Sequence, residues 1–457
     1  MPDPLLVTGG TVVTDGGRSR ADVLLRDGVV EAVGVVDAAG ARVVRADGCL
    51  VLPGAVDPHT HVFGAVEHDG IAALCGGTTS ALVFVDAEPG DTLAQAARRG
   101  LERELPASPI DLGFHGVVWE PAAYRPGDLA ELAALGITSI KLWLAYRELG
   151  IMADDDHVHA IMSEAARAGV LVLAHCENGP LVAALAAQLR AEGRTDLSEH
   201  ARSRPIALEA EAVHRFLRTA GLTGADAYVV HVSGREPLRE IERARRRGQR
   251  VFAEVCQHHL VLDDGVYDRP DALRYMVTPP LRGASDRAAL WTALSGGTLD
   301  VLASDHSHLR LDPDKLAAAG DVTAVPYGLP GIQWRLALGF TFGVATGRLT
   351  AERLVEAACA APARAFGLFP RKGTLRPGAD ADAVVWDPTR RTVVGPATRR
   401  DGVDYSPYDG FELVGAPRTV IAGGEVVVEE GEYLGRTQPA RFLPRPAAAA
   451  DLAHAPG

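Results

Sequence analysis

A chain of 457 residues, 47% hydrophobic and 23% charged, has room for one large soluble domain and a smaller companion. Its formal charge of −13, with no basic run beyond Arg243-Ala244-Arg245-Arg246-Arg247, argues against nucleic acid or an anionic membrane as partner. No apolar run reaches the roughly 18 residues of a membrane span and no leader pattern opens the chain. Five scattered cysteines, none in a CxxC, predict a reducing cytoplasm and no disulfide framework.

Residues 1–50 read as short strands joined by tight turns, because LLVTGGTVVT, DVLLRDGVVEAVG and ARVVRADGCLVLPG carry the glycine pairs and Asp-Gly steps of hairpins. The pattern changes over 51–368. Short apolar runs (LVLPGAVD, SALVFVD, DLGFHGVV, SIKLWLAY, VLVLAH, AYVVHV, VFAEVC and VLASD) alternate there with Ala/Leu/Glu/Arg-rich helical stretches. Eight such runs in series predict an α/β fold, a (β/α)8 TIM-type barrel of parallel strands. Strand texture returns over 369–437 in DADAVVWDP and RTVIAGGEVVVEEGEY, so a small β-sandwich should form from both chain ends. The Pro/Ala-rich segment 438–457 reads as a mobile tail.

In such a barrel the chemistry lies at the C-terminal strand ends. Those ends carry Asp57-Pro58-His59-Thr60-His61, Lys141, His175, His231 and Asp305, all able to bind a metal or move a proton. His59 and His61 are two apart on a strand, so both rings project from one face and can share a cation. Lys141 sits inside the apolar run SIKLWLAY, where an ammonium taken out of water needs a partner or different chemistry. Alone, it would snorkel to the barrel mouth or pair with Asp57 or Asp305. Among four strand-end histidines another chemistry opens: the neutral amine can take up carbon dioxide and become an anionic carbamate with one oxygen for each of two metals. Cys176 reads as a small buried thiol, and His258 and His259 as supporting residues.

The ordered motifs PGAVDPHTHV, SIKLWLAY, LAHCENG, VVHVSG, TPPLR, LASDHSH, GLPGIQWRL and FGLFPRKGTLRPGADADAVVWDP resemble the cyclic amidohydrolases of the amidohydrolase superfamily over almost the whole chain. Among these they are most like dihydropyrimidinase and D-hydantoinase. The resemblance implies a hydrolase that opens a hydantoin or dihydropyrimidine-like cyclic amide by attack of a hydroxide shared between two divalent metals, zinc foremost. His59, His61 and Asp305 would hold the more buried metal, His175 and His231 the more exposed one, and Lys141, as N6-carboxylysine, would bridge them. Asp305 would carry the proton to the leaving nitrogen. Tyr146 would donate to the developing oxyanion, and Thr278 stands where relatives place a serine against the cyclic amide. A homo-oligomer, dimer or tetramer, is also implied.

Three departures bear on substrate. The loop between His61 and Thr78 is shorter than in hydantoinase-like relatives, which predicts an open site. Tyr327-Gly328 replaces an asparagine-glycine, and Ser307-His308 replaces a Cys-Pro or Ser-Pro. Phe63, two residues beyond His61, stands where dihydroorotases carry a carboxylate-binding arginine, which disfavours that activity and makes Phe63 a substrate-contact candidate with Tyr327. Allantoinase, and a related hydrolase acting on a larger or linear amide, remain as alternatives. A non-catalytic member working through protein contacts is disfavoured, because all six ligand positions are filled.

Overall fold

The computed structural model describes residues 3–38 and 40–446. Eight parallel strands lie side by side in chain order: β1 (Ala55–His61), β2 (Thr78–Phe84), β3 (Asp111–Val117), β4 (Ser139–Trp143), β5 (Leu171–His175), β6 (Ala227–Val229), β7 (Val251–Cys256) and β8 (Val301–Ala303). The ring closes in an unusual way. After β8 pairs with β7, the chain breaks at Ser304 and Asp305 and resumes as His306–Ser307, which pairs in parallel with Thr60 and His61 of β1. Asp305 therefore sits at a gap in the last strand, with its backbone in the left-handed region at φ 48°.

The barrel strands are buried on both faces, consistent with their Val/Leu/Ala runs and with helices such as Asp155–Ala168 and Ile206–Thr223 packed outside. Two further sheets come from the chain ends. One runs in the order 432–433, 425–429, 412–422, 383–393, 50–53, 11–14, 17–20, and the other has 29–34, 22–26, 5–8 and 42–45. Val7, Val12, Leu25, Val51, Val385 and Ile421 fill the core between them.

Two sequence expectations change here. The run LVLPGAVD is not one barrel strand. Leu50–Pro53 pairs antiparallel with Ala383–Trp386, and the barrel strand starts only at Ala55. The switch falls at Gly54, where an added Cβ would lie 2.2 Å from Thr79 Oγ1 and only glycine fits. The segment beginning at 438 is not simply a tail. Phe442 bridges Leu112, Leu443 is fully buried, and the Arg445 guanidinium inserts under the barrel to donate to Ser139 Oγ (2.8 Å) and the Phe114 carbonyl. These apolar and hydrogen-bonded contacts override the Pro/Ala composition. Residues 447–457 lie outside the described residues.

A buried charge cluster ties the barrel to the terminal sheets. Lys372 Nζ contacts Asp111 (2.8 Å), Asp380 (3.0 Å) and Asp382 (2.6 Å), and Arg436 and Arg441 also reach Asp111. Burial pulls the Lys372 ammonium down, but the three carboxylates outweigh it and raise its pKa. Lys372→Met is expected to cost about 3–5 kcal/mol, because it strands buried carboxylates. Urea unfolding measures this, and a loss below about 1 kcal/mol, the scale of an exposed pair, would assign the cluster no such role.

Candidate active site

The strand ends converge on a cavity of about 520 Å³ lined by His59, His61, Lys141, His175, His231 and Asp305, together with Phe63, Tyr146, Thr278 and Tyr327. Every site residue expected from the sequence is in its wall. Among the described residues, six non-glycine residues have positive φ, and four of them are Phe63 (44°), Tyr146 (65°), His231 (38°) and Asp305 (48°). Such conformations cost about 1–3 kcal/mol each and persist only where the surroundings impose them. The backbone thus takes the left-handed conformation at four residues that line the cavity.

The histidines form two sets. His59 Nε2 lies 2.9 Å and His61 Nε2 3.6 Å from Asp305 Oδ1. The three donor atoms lie within 4.8 Å of one another, close enough to share an ion. His175 Nδ1 and His231 Nε2 face each other at 3.0 Å. The two sets adjoin, with the His59 and His231 ring centres 5.6 Å apart. His59 Nε2 is buried and its contact with Asp305 Oδ1 is not a well-directed hydrogen bond, which suits a metal-ligand donor. The donor set of imidazoles and a carboxylate fits divalent metals.

Lys141 is 2% exposed, with its Nζ 5.0 Å from the Phe84 ring centre, and it makes no ion pair among the described residues. Burial lowers its pKa to about 8, against the weaker pull of Asp305 and Glu254. Burial likewise lowers His61 to about 3 and His231 well below the usual imidazole value. His59 goes the other way. Burial opposes protonation, but Glu254 and Asp305 outweigh it and lift His59 to about 9. The two carboxylates thus draw positive charge to the point where the first histidine set converges.

Tyr146 leaves β4 in the left-handed conformation and its hydroxyl bonds Thr278 Oγ1 across the cavity. Burial raises its pKa above the ordinary phenol value, so it remains a proton donor at neutral pH. Phe63 is 48% exposed and stacks on His61 with ring centres 5.8 Å apart. Between β1 and β2, residues 62–65 and 76–77 are loop and Val66–Cys75 is a helix. Tyr327 stacks on His200, its hydroxyl donates to the Val322 carbonyl, and it lines the cavity.

Three supporting residues had no place in the sequence reading. Glu254 contacts His59 Nδ1. Glu177 contacts His175 Nε2 at 2.7 Å and is itself paired with Arg204 at 2.6 Å, whose guanidinium stacks on Tyr146 and Tyr327. Glu254 had a signal of the same kind as Lys141, a charge inside the apolar run VFAEVC. Arg204, distant in sequence, had none. His306 and His308 converge on buried Asp69 (3.0 and 2.7 Å) and are not among the cavity's lining residues.

Residues 50–427 match the amidohydrolase family. The chain is 38% identical to a D-hydantoinase of Ralstonia pickettii, over 96% of this chain and 98% of that one. This protein belongs to the amidohydrolase family. Within it, this amidohydrolase superposes on the crystal structure of a dihydropyrimidinase from Brevibacillus agri with a TM-score of 0.93 at 35% identity, covering 98% of this chain and 99% of the other. An L-hydantoinase (dihydropyrimidinase) from Arthrobacter aurescens aligns with a TM-score of 0.90 at 30% identity over 97% and 100% of the two chains. It is therefore a hydrolase of the hydantoinase and dihydropyrimidinase type. Among the described residues no helix is long and apolar enough to cross a membrane.

Proposed function

We propose that this protein opens a cyclic amide, a hydantoin or dihydropyrimidine-like ring, as a binuclear hydrolase. The observation that carries the reading is the pairing of two histidine sets around a buried Lys141 whose pKa burial lowers from the ordinary lysine value, all in one cavity. His59, His61 and Asp305 would hold one cation, His175 and His231 a second, and Lys141, as its carbamate, would serve both. When bound, the two divalent cations, zinc foremost, supply an ionised water near neutral pH.

The side chains do the rest. Tyr146 donates a hydrogen bond from its hydroxyl to the carbonyl oxygen as that oxygen gains charge. Asp305 accepts the proton of the attacking water and delivers it to the leaving ring nitrogen. Thr278, bonded to Tyr146, orients the ring amide, while Phe63 and Tyr327 form walls for the substituent. Tyr146→Phe should lower kcat by roughly 10²–10³-fold, the loss of one oxyanion donor. Steady-state kinetics tests it, and an unchanged kcat would reassign Tyr146 to packing.

The defining experiment is turnover of hydantoin, 5-substituted hydantoins, dihydrouracil, allantoin and dihydroorotate by zinc-supplemented enzyme, with and without a chelator. Hydrolysis of the first three, abolished by the chelator and restored by zinc, is expected. Binding of less than one metal per chain with no turnover would overturn the reading. The open cavity mouth, with Phe63 48% and Leu149 66% exposed, favours a second reading in which the substrate is a larger or linear amide. Faster turnover of an open-chain amide than of any ring would select it.

A further inference from the structure

Glu254 lies in the middle of β7 and is fully buried. Its two oxygens have three partners, on β1, on β6 and in the segment just after β6. Oε1 contacts His59 Nδ1 on β1 and accepts the backbone N–H of His231, just after β6, at 3.1 Å. Oε2 accepts the Tyr228 hydroxyl of β6 at 2.7 Å. The contact with Nδ1 aims the ring, so that Nε2 faces Asp305 and the cavity; with a cation bound there, the remaining ring proton would sit on Nδ1 toward Glu254. The bond to His231 falls on a residue at φ 38°, where a charge-assisted hydrogen bond helps hold a strained backbone.

Resting on the proposed placement of His59 and His231 at different cations, we infer that Glu254 is a positioning residue that couples the two metal sites through a single carboxylate oxygen. It aims the ring of one ligand and seats the backbone of the other. Glu177 provides the contrast within the same cavity, because it contacts His175 alone and is anchored from behind by Arg204. Tyr228 provides a second contrast, since it touches only the oxygen of Glu254 that faces away from the ligands. A carboxylate behind a ligating histidine sets ring orientation and basicity, and its loss weakens metal binding by about 10–100-fold. For Glu254 that loss should appear at both sites, and for Glu177 at one.

The test is competition of zinc-loaded enzyme against a chromophoric chelator, with metal stoichiometry by elemental analysis and the visible spectrum of the cobalt-substituted protein. Glu254→Gln should weaken both zinc ions about 10–100-fold and change the cobalt spectrum. Glu254→Asp, which keeps the charge but shortens the reach, should weaken both in parallel and by less. Glu177→Gln should release one zinc ion more readily and hold the other at wild-type affinity. Tyr228→Phe, which removes a comparable buried hydrogen bond, should lower the melting temperature while both metals stay bound. Weakening of one site only in both Glu254 variants would overturn the coupling. Full retention of both ions with a lowered melting temperature would reduce Glu254 to core packing. If the wild-type chain itself holds fewer than two zinc ions, the binuclear reading fails first and this inference with it.

Discussion

Lys141→Ala is expected to reduce kcat by roughly 10³-fold or more, about 4 kcal/mol of barrier. The strand imposes this on the residue. β4 is buried along its whole length, Lys141 is paired on one side with Leu173 of β5, and its amine ends against Phe84 in no ion pair among the described residues. Burial brings the amine down to about 8, so roughly a tenth is neutral at pH 7, against about 3 in 10⁴ for an ordinary lysine. Only the neutral amine attacks carbon dioxide. Its lone pair forms the N–C bond, one C=O π pair moves to oxygen, and a proton leaves to solvent. Carbamate formation should therefore quicken as pH rises through about 8 and slow below it. Protein incubated with ¹³C-bicarbonate and zinc should give a carbamate carbon resonance that Lys141→Ala lacks. A short carboxylic acid such as acetate or propionate should restore part of the activity by filling the vacated space. Retention of both metals in Lys141→Ala, with no rescue and no change in the carbon spectrum, would remove the carbamate from the mechanism.

The chain was unevenly legible. The eight apolar runs marked the barrel because each must bury both faces of a parallel strand, and the strand-end histidines announced themselves as polar groups where the fold gathers its chemistry. SIKLWLAY stood out by the cost of its one charge. Long-range closure was not readable. Nothing local in VLASDHSH says that the last strand splits, sending Val301–Ala303 to one neighbour and His306–Ser307 to the other. Gly54 divides LVLPGAVD between two sheets for a reason held 25 residues away in Thr79, so the sequence window contained no clue. The segment from 438 onward read as a mobile tail by composition, yet Leu443 and Arg445 have partners on β3 and β4 that fix them. The supporting shell was hidden for the same reason. The value of Glu177 comes from Arg204, and that of Glu254 from His59, distant in sequence but two strands away round the ring.

Asp305→Asn is the substitution that best separates chemistry from architecture, and it should lower kcat by roughly 10²–10⁴-fold, the worth of a positioned proton carrier. Asp305 sits at φ 48° in the gap of the last strand, a conformation that asparagine tolerates better than other side chains. The variant should thus keep its fold and melting temperature. What it loses is charge. Burial alone would raise the Asp305 carboxyl, but the neighbouring His59, with His231 and His61, outweighs burial and holds it well below the ordinary carboxylate range. The wild-type group is therefore ionised and ready to accept a proton throughout the neutral range, whereas an amide at that place cannot accept one. Because Asp305 Oδ1 also faces His59 Nε2 at 2.9 Å, the variant should bind the buried cation more weakly, so kcat must be read at saturating zinc. If turnover then stays at the wild-type level, the proton travels by another group, and Asp305 is only a ligand. If turnover collapses while zinc remains bound and the melting temperature holds, the strand break places a base against the reacting bond.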